Sequence, residues 1–241
     1  MSRILVFSAH AADFCSRSGG TLYKHAAMGD VVRVVTLTYG ERSESGGLYA
    51  NGAKPLLSDV KKIRREEASR AAEILGVEIE FLEWEDLSFD YSSERAKQLA
   101  EEIRAFRPEL LLTHHGPDPI SVDHDTTWQL VTRAAQMAGA QGLESKLAPL
   151  PRPQIFLFEA TVPLTEFEGF VPNVYVDVTD AWPVKVAAME TFRRAQGFLV
   201  QWYTEVAQRR AFQARNIVPS AGMQYAEAFE RVLPWVGQSL P

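Results

Sequence analysis

Strand-like segments alternate with helix-like segments along this chain, and the first two strands are apolar on both faces. Ile4–Ala9 is a continuous apolar run, and Val31–Thr38 is rich in β-branched residues. Strands of this kind are typical of a parallel sheet that helices cover on each side. Short helical crossovers make such a sheet right-handed and doubly wound. The pattern therefore predicts an α/β fold with three layers around a mostly parallel sheet.

The rest of the chain continues this alternation. We expect a turn at Gly19–Gly20 before the first helix, and a functional polar loop over residues 39–58, because it is longer than most connections. Ser58 or Asp59 is expected to cap the next helix, which stops at Gly76. The later predicted elements are a strand over Glu78–Trp84, a helix over Ser93–Phe106, a strand over Leu110–Thr113, a helix from about Asp125 to Ala138, strands over Gln154–Glu159 and Val174–Val178, a helix through Met189, a long helix over Gly197–Arg215 and a short helix near Tyr225–Val232.

Composition narrows the classes of protein. The 241 residues, 46% hydrophobic and 23% charged, suit one sizeable core. We therefore expect one domain over 1–241, with a site-bearing core in 1–140 and a C-terminal part in 141–241 that completes the sheet. The net charge of -6 argues against a nucleic-acid or anionic-membrane partner, and no apolar run has the length of a membrane span. Cys15 is the single cysteine, so we expect it in the core of a cytoplasmic protein without disulfides.

Two histidines and an aspartate come after predicted strands. His10 and Asp13 follow Ile4–Ala9, and His124 follows Leu110–Thr113 across a short loop. The carboxyl ends of adjacent parallel strands meet at one edge of a sheet, where ligands bind. Two imidazoles and one carboxylate leave coordination positions open, which is typical of a catalytic zinc site. We therefore predict one Zn²⁺ per chain, held by His10, Asp13 and His124.

Several motifs carry a family resemblance. The segment Ser8-Ala-His-Ala-Ala-Asp-Phe14, with Gly19-Gly20-Thr21 after it, resembles the opening A-H-P-D-D-E…G-G-T motif of the PIG-L/LmbE zinc deacetylases. Later motifs follow in order at Arg65–Ala68, Thr113–His114 and Asp123–His124. The resemblance implies a Rossmann-like three-layer sandwich of the LmbE type and the same three metal ligands. It also implies that Asp123 and His114 orient those ligands, since ligating imidazoles need hydrogen-bond acceptors.

Two further segments are similar to one branch of that family. Tyr39–Ser45 and Tyr203–Asn216 resemble the 4-oxalomesaconate hydratases of gallate and protocatechuate degradation. This resemblance implies a zinc-dependent hydro-lyase that adds water to the double bond of an unsaturated oxo-carboxylate in aromatic acid breakdown. The expected substrate is 4-oxalomesaconate, also written 4-carboxy-2-hydroxymuconate.

The departures from the deacetylase pattern bear on the reaction. Ala12 stands where the deacetylases carry their general-base aspartate, and Ser121 stands where they carry a second catalytic histidine. Amide hydrolysis needs groups that handle both protons, and losing one costs on the order of 10²–10⁴ in rate. A hydratase is therefore favoured. A zinc-dependent deacetylase of N-acetyl sugars with a relocated base, and a metal-binding protein without catalysis, are the alternatives.

A hydratase of an oxo acid also needs a group that moves protons. Glu44 and Glu41 lie on the loop after the second strand, and we expect Glu44 first in this role. The substrate is a small di- or tricarboxylate, so arginines are expected as its clamps. Arg17 and Arg42 are the candidates. Thr161 is a further substrate-binding candidate, because it lies where the hydratases carry a histidine after Phe158-Glu159.

Other residues are assigned to structural roles. His115 is expected on the solvent side of its loop. Arg64 and Arg65 are expected on a helix surface or in intrahelical pairs with Glu67 and Glu73. The aromatic residues of the C-terminal helix are expected in the core or in a subunit interface, because symmetric homo-oligomers are common. They are Phe198, Trp202, Tyr203 and Phe212.

Overall fold

The computed structural model describes residues 1–118, 120–159, 169–219, 222–234 and 236. Strands and helices alternate over most of this part of the chain. The strands are β1 (Arg3–Ser8), β2 (Val31–Thr38), β3 (Glu78–Trp84), β4 (Leu110–His114), β5 (Gln154–Phe158), β6 (Val174–Asp177) and β7 (Ala226–Arg231). The helices are α1 (Asp13–Ala27), α2 (Leu57–Leu75), α3 (Ser93–Phe106), α4 (Val122–Gly139), α5 (Trp182–Glu190) and α6 (Leu199–Ile217).

The strands form one sheet in the order β3-β2-β1-β4-β5-β7-β6. Strands β1 to β5 are parallel, whereas β7 runs antiparallel to both of its neighbours. In the register, Ile4 of β1 lies between Val32 of β2 and Leu110 of β4. The winding reverses between β1 and β4, which is the kind of position where open α/β sheets bind ligands. The predicted three-layer α/β fold is confirmed, and the sheet takes strands from both 1–140 and 141–241.

Alternate side chains of the central strands pack into two apolar clusters, one on each face of the sheet. Val6 and Val34 belong to the cluster that includes residues of α1, α2, α5 and α6. Leu5 and Val35 belong to the cluster that includes residues of α3 and α4. Strand side chains alternate between the two faces of a sheet, so a strand that is apolar at every position must have helices packed on both faces. No helix within the described ranges has the length and apolar character needed to cross a bilayer.

Several predicted boundaries agree with the structure, and others differ from it. Helix α2 ends at Gly76, whose φ of 71° suits a glycine in the left-handed region. Its N-cap is Leu56, so the prediction of a Ser58 or Asp59 cap was wrong; an extended backbone at Leu56 (ψ 141°) starts the helix without a side-chain cap. Helix α4 begins at Val122 rather than near Asp125, because the Ser121 side chain accepts the backbone N–H of His124 as N-cap.

The predicted turn at Gly19–Gly20 is instead the middle of α1. A Cβ on Gly20 would lie 2.8 Å from Val178 side-chain atoms, so glycine allows close packing here. The backbone N–H groups of Gly20 and Thr21 donate to the two carboxylate oxygens of Glu227 at 2.8 Å each. Gly20 therefore marks a close approach of α1 to Val178, just after β6, and to Glu227 of β7, rather than a turn.

The predicted short helix near Tyr225–Val232 is also wrong. This segment forms β7, which pairs with β5 on one side and with β6 on the other. The sequence Ala-Glu-Ala-Phe-Glu-Arg contains good helix formers, so local propensity favours a helix. Backbone pairing with two neighbouring strands overrides that preference.

Candidate active site

The reacting residues lie where the chain leaves β1 and β4. His10 follows β1 by two residues, and a hydrogen bond from its backbone N–H to Asp13 Oδ2 (2.7 Å) holds the turn into α1. His124 and Asp123 lie in the first turn of α4, after the loop that follows β4. Since β1 and β4 are neighbours, their parallel pairing brings both turns to one edge of the sheet.

Four side chains converge at this edge: His10, Asp13, Glu44 and His124. His10 Nδ1 lies 3.2 Å from His124 Nε2 and 3.4 Å from Glu44 Oε1. The carboxylate of Asp13 lies 3.6 Å from each of the two imidazoles, and Glu44 Oε1 lies 3.8 Å from His124 Nε2. Ligand atoms about 2.1 Å from a tetrahedral zinc ion are separated by about 3.4 Å. The spacing of these four side chains therefore fits a zinc-sized ion.

Two aspartates orient the two imidazoles of this cluster. Asp123 Oδ2 lies 3.1 Å from Nε2 of His10, and Asp118 Oδ2 lies 2.8 Å from Nδ1 of His124. When each imidazole donates its N–H to its aspartate, the other ring nitrogen faces the cluster with a lone pair. Two lone pairs 3.2 Å apart repel unless a cation lies between them, which favours a metal ion. Sequence reasoning identified Asp123 in this role and missed Asp118.

His114 lies behind the cluster and stays neutral. Its ring stacks on His124 with the centroids 4.2 Å apart, and its Nε2 lies 3.2 Å from Asp13 Oδ2. Burial and the neighbouring His124 lower the pKa of His114 to about 3. The structure therefore brings His114 to the Asp13 carboxylate, on the side away from the cavity.

The electrostatics of the cluster are those of an anionic site that attracts a cation. Burial lowers the pKa of His10, but Glu44, Asp123 and Asp13 outweigh it and raise that pKa well above the ordinary value. Burial opposes ionisation of Glu44, yet the neighbouring imidazoles hold its pKa at about 2. Asp13 and Glu44 thus stay ionised, and their negative charge makes His10 hold its proton tightly. The same negative charge attracts a metal ion.

Arg17 lies next to the cluster, and its guanidinium forms an ion pair with the Asp13 carboxylate. Its Nη1 donates to Asp13 Oδ1 at 2.6 Å, and its Nε donates to the backbone carbonyl of Glu159 at 3.0 Å. Burial opposes ionisation of Asp13, but Arg17, His124 and His114 hold its pKa well below the usual range. Arg17 also lines the cavity described below, so it is the predicted clamp that the structure brings to the site.

The loop after β2 brings Glu44 to the cluster and turns Glu41 away from it. Gly40 has a φ of 64°, and a Cβ there would lie 3.0 Å from Glu44 Cβ and 3.2 Å from His10 Cβ, so only glycine fits. Glu41 Oε1 contacts Arg42 Nη1 (3.1 Å) and Lys61 Nζ (3.4 Å) on the other side of the loop.

Arg42 serves as a loop anchor. It contacts Asp86 and Glu85 after β3, at 3.4 and 3.0 Å. Asp86 also accepts the backbone N–H groups of Arg42 and Ser43, at 2.9 and 2.7 Å. Neither Glu41 nor Arg42 is among the described residues that line the cavity. Their predicted roles in proton transfer and substrate binding therefore have no geometric support, because Glu41 Oε1 and the Arg42 guanidinium are paired along the loop and Glu41 Oε2 is buried without a hydrogen-bond partner.

A cavity of about 670 Å³ opens over the cluster. Polar residues line its floor, and apolar residues from the start of α6 and the start of α4 line its mouth. The lining side chains include His10, Ala12, Asp13, Arg17, Glu44, Ser121, Gln196, Ile120, Val122, Phe198, Trp202 and Tyr203. Phe198 and Trp202 are half-exposed, and their rings lie 4.3 Å apart at a tilt of 41°, so these two residues form part of the cavity mouth rather than the core. Ala12 presents only a methyl group to this space.

The remaining predicted residues have varied positions. Thr161 lies outside the described residues. His115 is buried against Phe170, and burial lowers its pKa, so the prediction of a solvent-side position was wrong. Arg64 is fully buried, so a surface position is wrong, but its predicted intrahelical pair with Glu67 is present at 3.0 Å. Cys15 is buried in the core as predicted.

Two comparisons cover nearly the whole chain. The chain is 36% identical over 239 residues to a 4-oxalmesaconate hydratase of Pseudomonas putida strain KT2440, covering 98% of this chain and 91% of that protein. It matches the crystal structure of GalB, the 4-carboxy-2-hydroxymuconate hydratase of the same organism, with a TM-score of 0.92, 36% identity and full coverage of both chains.

Two further matches are to deacetylase sequences. Residues 5–135 match the family model described as PIG-L, GlcNAc-PI de-N-acetylase. The chain is also 29% identical over 203 residues to the diacetylchitobiose deacetylase of Thermococcus kodakarensis, covering 79% of this chain and 69% of that protein. The similarity to the hydratases is thus higher, and it extends through the C-terminal strands and helix α6.

Proposed function

Because the chain belongs to the PIG-L family, we propose that it is a metal-dependent hydratase that adds water to an unsaturated oxo-carboxylate. Its similarity to hydratases over nearly the whole chain makes 4-carboxy-2-hydroxymuconate (4-oxalomesaconate) the proposed substrate. The observation that carries the proposal is the methyl group of Ala12 beside the anionic cluster. The deacetylases carry their base at that position, and a methyl group cannot take a proton, so the deacetylase alternative needs a base relocated to another residue.

We propose zinc as the metal, held by His10, Asp13 and His124. The donor set of imidazole nitrogen and carboxylate oxygen suits Zn²⁺, and the separations of 3.2–3.6 Å among these three residues fit a zinc-sized ion. A bound zinc ion would act as a Lewis acid that stabilises negative charge on a substrate oxygen. The aspartates behind His10 and His124 then serve to hold the imidazoles in the ligating orientation.

Glu44 is the proposed proton-transfer group. Its Oε1 faces the metal cluster from the cavity side, and its side chain retains some exposure to the cavity. With its pKa held at about 2, it is ionised at neutral pH and can accept a proton from water or substrate. A bound cation changes that environment, so the proposal rests on the position of the carboxylate. Glu41, the alternative, is paired away from the cavity.

The substrate is proposed to be a small di- or tricarboxylate. Arg17 supplies a guanidinium at the cavity floor, and a metal ion would add positive charge next to it. The cavity of about 670 Å³ is in the range of small-molecule sites. The apolar mouth formed by Phe198, Trp202 and Ile120 limits access of water to the floor. We further propose a cytoplasmic location, because Cys15 is the single cysteine of the sequence. We also propose a homo-oligomer, because symmetric homo-oligomers are common.

The test is an absorbance assay for loss of the conjugated dienoate. Zinc-loaded protein should consume 4-carboxy-2-hydroxymuconate, chelation should abolish the activity, and added zinc should restore it. His10→Ala and Asp13→Ala should lower zinc content and activity together, whereas His25→Ala, a histidine paired with Asp30 away from the site, should change neither. Full zinc content and activity in both site variants would remove the site as proposed. No consumption by zinc-loaded protein would remove the hydratase.

A further inference from the structure

The two carboxylate oxygens of Glu44 have different partners. Oε1 faces the cluster, 3.4 Å from His10 Nδ1 and 3.8 Å from His124 Nε2. Oε2 accepts a hydrogen bond from Gln196 Nε2 at 3.3 Å. One oxygen is thus directed at the metal cluster, while the other accepts a hydrogen bond from a second residue that lines the cavity.

The side-chain amide of Gln196 has only one orientation that satisfies its neighbours. Its Oε1 accepts from Nη2 of Arg64 at 2.8 Å, and an arginine can only donate. The amide nitrogen must therefore face Glu44. Gln196 is 6% exposed and lies just after α5, in the segment that leads into α6.

Arg64 is itself fixed by two further partners, one on the loop after β2 and one on its own helix α2. Its Nε donates to the backbone carbonyl of Tyr39 at 3.1 Å, and its Nη1 donates to Glu67 Oε2 at 3.0 Å. It is fully buried, and its guanidinium lies 5.2 Å from the ring centroid of Phe192. A buried guanidinium with three directed hydrogen bonds has little freedom, so it is a rigid support for the amide.

From this chain of contacts we propose that Gln196 is a positioning residue for Glu44, and that Arg64 sets the orientation of Gln196. The hydrogen bond to Oε2 fixes the rotation of the carboxylate, so that Oε1 presents a lone pair to the reacting atoms. The inference rests on the proposed role of Glu44 in proton transfer. Misplacing a catalytic group by about 1 Å can cost about 100-fold in rate, so orientation alone has a measurable effect.

Gln196 also lines the cavity, so direct contact with the substrate is the competing explanation. The two explanations predict different kinetics. A substrate contact acts on binding, so its loss raises KM and is independent of Glu44. A positioning role acts through Glu44, so its loss lowers kcat and disappears when Glu44 has already been replaced.

The experiment is a double-mutant cycle between Gln196→Met and Glu44→Gln in the zinc-loaded enzyme. In the wild-type background, Gln196→Met should lower kcat about 10-fold or more and leave KM within about twofold. In the Glu44→Gln background it should change kcat by less than about twofold. An equal loss in both backgrounds, or a rise in KM with kcat unchanged, would overturn the proposal.

Two further variants separate positioning from simple packing. Gln196→Glu keeps the side-chain length and the partner at Arg64, but it presents a carboxylate to Glu44. It should therefore keep thermal stability and still lose at least 10-fold in kcat, whereas a packing role would be rescued by it. Gln201→Met is the matched control, since Gln201 is an exposed glutamine that contacts Glu205 at 3.2 Å on α6; its kinetics should be those of wild type.

A readout that does not need activity keeps this inference distinct from the proposed function. In the side-chain amide NMR spectrum, both Glu44→Gln and Arg64→Lys should shift the NH₂ signals of Gln196, while Gln201→Met should leave them in place. Unmoved Gln196 signals in both variants would contradict the contact chain. Absence of hydratase activity in wild type would instead contradict the proposed function alone.

Discussion

Replacing Glu44 by glutamine tests the proposed chemistry at one atom. The substitution keeps the side-chain length, and the backbone contact from Glu44 N–H to the Gly40 carbonyl (3.0 Å) is unaffected. A glutamine at this position can still accept from Gln196 through its carbonyl oxygen. The group that then faces His10 Nδ1 and His124 Nε2 is an amide NH₂, which cannot accept a proton.

The size of the effect follows from the role. General acid–base groups contribute about 10²–10⁴ in rate. We therefore expect kcat for hydration to fall at least about 100-fold, which is about 2.7 kcal/mol in barrier height. KM should change little, because the lost interaction belongs to the transition state.

The assay is steady-state kinetics on the dienoate, with zinc content measured on the same samples. Glu41→Gln is the matched control, since this buried neighbour contacts Arg42 and Lys61 on the other side of the loop. Its kcat should stay within about threefold of wild type. A Glu44→Gln enzyme with full zinc content and near-normal kcat would refute the reasoning, and loss of zinc from that variant would make Glu44 a ligand instead.

Three other substitutions have defined outcomes. Ala12→Asp should strongly lower the rate of hydration, because it adds a third carboxylate beside Asp13 and Glu44. An amine-release assay on the same variant should detect little amide cleavage. Efficient amide cleavage would contradict the account. Arg17→Lys keeps the charge but loses the guanidinium contacts to Asp13 and Glu159, so the KM for the substrate should rise about 10-fold. An unchanged KM would contradict the role of Arg17 in substrate binding. His114 has a pKa of about 3 when folded and 6.5 when free, so the folded state loses stability as pH falls from 6.5 towards 3. In denaturant titrations, the wild type should therefore lose about 1 kcal/mol per pH unit more than His114→Asn over that window; equal slopes would contradict a neutral buried His114.

Much of the fold follows from local sequence signals. Strand β2 and helix α3 were predicted with the observed bounds, because a β-branched run and an amphipathic pattern followed by a proline are strong local signals. Strand β7 was missed because its residues favour a helix locally, and only pairing with β5 and β6 makes it a strand. The turn predicted at Gly19–Gly20 is wrong, because the close packing of Gly20 against Val178 has no local signature in the sequence.

The sequence predicts the site residues that belong to a recognisable motif, and it does not predict the others. His10, Asp13 and His124 follow strand-like runs at recognisable spacing, and the structure brings them together with Glu44. Asp118 lies between prolines in a loop, and the only available signal was the aspartate content of that loop. Gln196 is 152 positions from Glu44, so the contact between them depends on the tertiary packing of the segment after α5 against the loop after β2.

The most direct test of the central claim compares two reactions on one zinc-loaded sample. Hydration of 4-carboxy-2-hydroxymuconate is followed by loss of absorbance and confirmed by a product that gains one molecule of water. Cleavage of an N-acetylglucosamine derivative is followed by release of amine. The account predicts a kcat/KM for hydration of about 10⁴ M⁻¹s⁻¹ or more, the usual range for enzymes, and amide cleavage at least about 1,000-fold less efficient. Amine release at enzyme rates, with the dienoate left intact, would contradict it.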